Sequence, residues 1–298
     1  MFMFFTFLLL TFHPTSISEE ITLKFEENKI DSIHRSELAL PSFDNSMIDL
    51  EKYYQLVESI EKEIYVDPID ATLDKNGQLI SERNGQKLNQ EKFKEMFYTH
   101  FYSKGSTTFS IPTQTVYPKV DSELLTTIKS KKISQYVTYF NSMNKERSMN
   151  IHLASEAINN YVLFPQERFS FNAVVGQRTA DRGYLPAPII VRGELAEGVG
   201  GGICQVSSTL FNAVDLAGVK ITERYSHSRK VPYVPPKRDA TVSWFGPDFA
   251  FKNVLNQPIL IRSKVVGSRL IIEIFSSDTL EPNADTLEFY RQRNVDQL

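Results

Sequence analysis

Cys204 is the only cysteine in the sequence, and it follows a run of glycines: residues 198 to 204 read Gly-Val-Gly-Gly-Gly-Ile-Cys. From there Ile203, Val206, Leu210, Val214 and Ala217 recur at helical spacing, one apolar face closed by Gly218 as a C-cap. The thiol therefore falls in the first turn of a helix. Unpaired N–H groups and the positive dipole end favour a thiolate there, and the thiolate is the nucleophilic form. Glycines let a substrate approach the backbone, and the amides around Gly201, Gly202 and Ile203 are candidates for an oxyanion hole. The same position also suits a small buried hydrophobe, so position alone leaves both readings open. A phosphate loop is disfavoured: there is no G-x-x-x-x-G-K-[ST] pattern and no Lys or Arg beside the glycines.

A nucleophilic cysteine needs a base. Histidines stand at 13, 34, 100, 152 and 227. His227 follows the strand after the cysteine helix, and a helix with a returning strand brings such positions together. Its plainer reading is a loop histidine with local hydrogen bonds. Asp239 and Asp248 are near-equal candidates to orient the imidazole, and a backbone carbonyl could serve instead. Arg178, Arg182, Arg192, Arg229 and Arg238 fall in the same block, and a guanidinium fork suits carboxylates. For any single one of them a surface ion pair is the simpler explanation.

The elements that must position these residues read as α+β. Residues 19–132 form a first block: a helix over about 49–64, a hairpin turned at Asn76-Gly77, a helix over 88–102 and a β-like run over 107–116. Lys129, Lys131 and Lys132 mark a solvated helix end or linker where the block closes. Residues 133–276 form a second block with two main helices, over about 150–160 and from 203 on. Its short antiparallel strands are expected at 189–191 (buried), 219–225, 240–244, 249–253, 258–264 and 270–275. Residues 277–298 read as a polar tail.

Composition narrows the function classes. The chain has 298 residues, 41% hydrophobic and 23% charged, which suits a globular protein of roughly two domains. Lys plus Arg is 33 against 36 for Asp plus Glu, and the pI of about 6.0 offers no basic field for nucleic acid. One Cys rules out an intrachain disulfide and a Cys-rich zinc site; no metal and no cofactor is expected. The opening MFMFFTFLLLTF is too short to span a bilayer but has the length of a signal-peptide core, with Ser16-Ile17-Ser18 as a small-x-small site and no Lys or Arg before Lys24. Residues 1–18 are accordingly expected to be a signal peptide or an N-terminal anchor, and membrane association only through residues 1–12. The mature chain is expected outside the cytoplasm, at the wall or the outer membrane face.

Several longer motifs resemble the VanW family. They are Phe169-Ser170-Phe171-Asn172, Val175-Gly176-Gln177-Arg178-Thr179-Ala180, Arg182-Gly183-Tyr184, Gly198 to Ser208, Tyr233-Val234-Pro235-Pro236 and Arg238-Asp239-Ala240-Thr241-Val242. The resemblance covers about residues 133–276, and departs from the pattern at Gln166, where a glycine is expected after Pro165. The first block resembles, more weakly, a peptidoglycan-binding domain that often precedes VanW, through 66–71 and 85–88. The resemblance implies an L,D-transpeptidase that joins peptidoglycan stem peptides by 3-3 crosslinks through a Cys204 thioester, with His227 as base. Asp239 would orient that base. Arg178, Arg182, Arg192, Arg238, Ser207 and Ser208 would bind the carboxylate-rich substrate. The alternative is a non-enzymatic wall-binding or accessory protein with a structural Cys204; a cysteine hydrolase of stem peptides is a further one.

Overall fold

The structure, a computed structural model, describes residues 19–41, 47–191 and 194–281. The expected leader at 1–18, most of the expected tail and Arg192 lie outside the described residues. The helices are α1 (Leu50–Ile64), α2 (Gln90–Phe101), α3 (Ser122–Ile128), α4 (Lys145–Ile158), α5 (Phe171–Val175) and α6 (Ile203–Ala217). The strands begin with β1 (Glu20–Phe25), β2 (Asn28–His34), β3 (Thr72–Leu73), β4 (Leu79–Ile80), β5 (Gly85–Leu88), β6 (Thr107–Ser110) and β7 (Thr113–Val116). They continue with β8 (Lys131–Tyr139), β9 (Tyr161–Leu163), β10 (Arg168–Ser170), β11 (Pro186–Val191) and β12 (Glu194–Val199). The last are β13 (Lys220–Glu223), β14 (Ala250–Lys252), β15 (Ile259–Val266) and β16 (Arg269–Ser276). The fold is α+β, and its described chain divides into two compact units, 19–70 with 82–119 and 71–81 with 120–281.

The first unit is held by aromatic packing. Asp49 caps α1 by accepting from the amides of Glu51 and Lys52, and Asn89 caps α2 through Lys92. Phe93, Phe97 and Phe101 line one face of α2 and join Tyr53 of α1, Phe109 of β6 and the inner residues Ile21 and Leu23 of β1. The sheet runs β2-β1-β6, and the β1–β6 pair is parallel.

The second unit is built around α6. Its sheet runs β8-β16-β15-β9, with antiparallel neighbours throughout. Alternation on β16 turns Leu270, Ile272 and Ile274 inward, where they meet Val206, Leu210 and Val214 of α6 and Ile151, Ala154 and Ile158 of α4. Each fully buried aliphatic side chain of that layer contributes roughly 1.5–3 kcal/mol. Polar staples fix the registry: Thr138 of β8 to Thr209 of α6 (2.8 Å), and Ser155 of α4 to Ser263 of β15 (2.7 Å). The Asn76–Gly77 hairpin, β3–β4, goes with this unit: Asn160 bonds both ways with Leu73, and Arg262 donates to the Asp74 carbonyl. The segment 120–132, read from sequence as the close of the first block, also goes with the second unit, because Leu125 and Ile128 of α3 pack on Leu260 of β15.

The strand expected at 189–191 extends back to Pro186: β11 pairs with β12 alone among the described residues, with Pro186 and Pro188 exposed, Ala187 buried and Ile189 half-buried. One strand expectation changes. Residues 240–244 form no strand; their backbone is engaged by α6 side chains, as described below. The departure at Gln166 also acquires a physical meaning. Its φ is +68°, the left-handed region that favours glycine, and its amide donates to Asn253 O at 2.7 Å. A non-glycine residue there costs about 1–2 kcal/mol of strain, against about 0.5–1 kcal/mol of extra chain entropy for glycine. Gln166→Gly should therefore leave the fold unchanged and raise the thermal midpoint slightly; a lower midpoint would refute this account of the turn.

Candidate active site

The glycine turn sets Cys204 by close packing. A Cβ at Gly201 would lie 2.5 Å from the Ala187 carbonyl oxygen of β11, so no larger residue fits there. Gly202 is the N-cap of α6 with φ +109°, a conformation that side chains rarely adopt. Asn150 of α4, fully buried, locks the turn from below: its amide nitrogen donates to Gly201 O (3.0 Å) and Leu185 O (2.8 Å), and its oxygen accepts from Leu185 N (2.8 Å). Within the turn the amides of Gly201 and Ile203 are spent on the carbonyls of Gly198 and Gly200. The backbone amides of Gly202 and Cys204 have no acceptor among the described residues, so these two form the candidate oxyanion hole, where sequence pointed to Gly201, Gly202 and Ile203.

Three side chains named from sequence meet at the start of α6. His227 Nδ1 lies 2.7 Å from Asp239 Oδ2, and the same carboxylate oxygen accepts from the His227 backbone amide at 2.6 Å. Asp239 is thus the orienting carboxylate. Asp248 is employed elsewhere, accepting from Ser170 Oγ and from the Asn172 and Phe249 amides at the start of α5. With Nδ1 engaged by Asp239, the other ring nitrogen of His227 is left for Cys204, with which the imidazole interacts electrostatically. Cys204 Sγ also lies 3.8 Å from Thr241 Oγ1 and 3.5 Å from Val242 O, and the residue is partly buried.

The electrostatics follow. Burial pushes the Cys204 thiol up from its ordinary 9.0, but hydrogen bonds with His227, the Val242 backbone and Thr241, with the His227 charge, outweigh burial and bring it down. Burial pushes His227 down from 6.5, while Cys204 and Asp239 together hold it above that value. Asp239 sits below its ordinary 3.8: burial raises it, and its bonds with His227 more than offset that. The shifts bring the thiol and the imidazole toward each other, the sense that favours proton transfer from Cys204 to a histidine oriented by a carboxylate.

Ser207 and Ser208 take a different part from the substrate contact expected. Both are fully buried. Ser207 Oγ donates to Ala240 O at 2.6 Å; Ser208 Oγ donates to Cys204 O at 2.6 Å and accepts from Ala240 N at 2.9 Å. They fasten residues 239–242 to α6, which explains why 240–244 pairs in no sheet. Arg238 is likewise committed: its fork bonds Asn212 Oδ1 and Asp215 Oδ2, both at 2.7 Å, on the far half of α6. Arg182 donates to Gln177 O at 2.7 Å. Of the expected arginines, Arg178 comes nearest the thiol's influence, with Nη1 donating to Asn172 Oδ1 at 2.8 Å.

Sequence reasoning missed Arg147, Gln205 and Tyr233. Gln205 is buried beside the cysteine; it donates to Thr138 Oγ1 and Tyr139 O, both at 3.0 Å, and accepts from Arg147 Nη2 at 2.9 Å. Tyr233 stands in the Lys230–Pro236 segment, which lines a cleft of about 620 Å³. Burial, then the nearby Cys204, push its phenol well up, so it stays neutral. The Asn144 cap of α4 was the available signal for Arg147, since it starts the helix five residues before the expected 150.

A two-layer α+β unit with a cysteine, a histidine and an aspartate in line at a glycine-rich helix start defines a candidate cysteine-nucleophile protein. The VanW-like protein family model matches residues 146–275, which contains all three side chains. An uncharacterized protein, YoaR, from Bacillus subtilis strain 168 is 52% identical over 275 residues, 92% of this chain and 91% of that one. The chain belongs to the VanW-like family, and that membership suggests a cell-wall-related role. No solved structure matches it.

Two outcomes test this geometry. Alkylation of Cys204 by iodoacetamide should reach half its maximal rate below the free-thiol value of about 8.5, and His227→Ala should move that midpoint upward, because burial is then unopposed. A midpoint unmoved by His227→Ala would separate the two residues. Ser208→Ala leaves the buried Ala240 amide without its acceptor, and should lower unfolding free energy by about 1–3 kcal/mol in denaturant titration.

Proposed function

We propose that the chain is an exported cysteine acyltransferase of the bacterial cell wall, acting as an L,D-transpeptidase on peptidoglycan stem peptides. The observation that carries this reading is the Cys204–His227–Asp239 alignment at the head of α6. The Cys204 thiolate adds to the carbonyl carbon of the third stem residue, and the amides of Gly202 and Cys204 receive the oxyanion. The bond from that carbon to the nitrogen of the fourth residue breaks, and the leaving amine takes the His227 proton. A side-chain amine of a second stem attacks the thioester, its proton passes to His227, and the thiolate leaves as the 3-3 amide forms. Asp239 holds the imidazole in one tautomer and stabilises its protonated form through both half-reactions. The first unit, on its resemblance, binds peptidoglycan, and export is required because the substrate is outside the cytoplasm.

The test is mass spectrometry of purified tetrapeptide muropeptides incubated with the full chain and with Cys204→Ala. New dimers should appear with the wild type and vanish with the variant. His227→Ala should slow them by about 10²–10⁴-fold. Cys204-dependent tripeptide without dimers would make the protein a hydrolase. No product from a folded sample would leave a wall-binding protein with a structural cysteine. The pH profile has a stated sign: the acid limb follows Cys204, held below 9.0, and the alkaline limb follows loss of the His227 proton, held above 6.5.

A further inference from the structure

Two guanidinium groups flank the glycine turn that presents Cys204, and both lack a carboxylate partner among the described residues. Arg147 lies against Gly202: a Cβ there would meet its Cγ at 3.0 Å and its Nη1 at 3.3 Å. Arg178 lies against Gly200, where a Cβ would meet its side chain at 3.2 Å. Each makes one side-chain hydrogen bond, to the neutral oxygens of Gln205 and Asn172 respectively. Arg178 Nη2 is buried and has no acceptor. The carboxylate that acts on Arg178, Asp248, is bonded to Ser170 and to two backbone amides and makes no ion pair with it.

Structural contacts account for only part of this placement: the Arg178 guanidinium also lies over the Phe171 ring, 5.7 Å from its centroid. A fork of five donors is normally buried with a carboxylate. Arg147 sits in the first turn of α4, three residues after its Asn144 cap, where the helix dipole disfavours a cation. Desolvation pulls both guanidiniums below their ordinary value, and the charge of Cys204 opposes that pull on each. The region thus holds two desolvated positive charges, a raised histidine and the positive end of α6. Asp239 and the thiolate answer only part of that charge.

We propose that Arg147 and Arg178 form a carboxylate receptor beside Cys204, so that the acyl donor must carry a free carboxylate close to its scissile carbonyl. This rests on the reactive-thiol reading above and adds to it. An end-acting enzyme follows: the preferred donor ends one residue past the bond that breaks, and an internal peptide bond, which lacks that charge, is a poor donor.

The test needs no peptide substrate. Iodoacetate brings a carboxylate one carbon from the atom that alkylates sulfur; iodoacetamide has the same shape without charge. The ratio of their rate constants at Cys204, against the same ratio for glutathione, reads the receptor. The wild type should exceed glutathione by about tenfold. Arg147→Gln and Arg178→Gln should each bring the ratio down several-fold; the ratio cancels any change in thiolate fraction, because both reagents need the same thiolate. Arg147→Lys and Arg178→Lys, which keep the charge and are milder to the fold, should retain part of the preference. Normal labelling at the glutathione ratio, or a raised ratio that none of the four variants lowers, would overturn the receptor and leave the reactive thiol standing. A folded protein that neither reagent labels would overturn both.

Discussion

The hydrogen bonds from Ser207 and Ser208 to the backbone at Ala240 are the constraint on which the site depends. They lay an irregular segment, Asp239 to Val242, along the first turns of α6. Asp239 is thereby brought to His227 on one side, and Thr241 and Val242 to the cysteine sulfur on the other. A ladder with a neighbouring strand would have fixed the segment equally well, but would have placed it in a sheet rather than along a helix. The helix has to be polar on that side, and α6 is: beside its apolar stripe it buries Gln205, Ser207, Ser208, Thr209 and Asn212, each bonded to a backbone or side-chain partner. Burial of so many polar groups is tolerated because none of these five is left unsatisfied.

The same helix shows how much was legible in the sequence. Its stripe, its glycine start and its Gly218 end are local patterns, and the structure reproduces them, with Gly218 left-handed at φ +82°. The nearness of Cys204 and His227 was legible too, because the helix and its return are close in sequence. The choice between Asp239 and Asp248 was not: it is decided by which backbone amides and side chains each meets, among them the Asn172 amide far off in sequence. Arg147 escaped because the apolar pattern of α4 begins later than the helix does; its first turn is Lys-Glu-Arg, held by the Asn144 cap and with no periodic residue. β12 escaped for a related reason, since Glu-Leu-Ala-Glu-Gly-Val has little intrinsic strand preference and depends on pairing with β11.

Charge ties the two functional proposals into one cycle. Before acylation the thiolate is itself a counter-ion for the histidine and the arginines. When the thioester forms, that negative charge leaves the sulfur for the leaving amine's side of the reaction, and His227 gives up its proton in the same half-reaction. The arginines then face the site with less compensation than before. A carboxylate on the departing residue would lose its strongest reason to leave if the receptor bound it alone. In the proposed cycle it departs because the covalent bond that held it in place has been cut. In the same proposal the emptied receptor is positive and discourages a second cation, so the acceptor amine would arrive neutral to attack. That requirement matches the chemistry: only an unprotonated amine is a nucleophile, and the unprotonated His227 left by the first half-reaction is the base that takes its proton as the new amide forms.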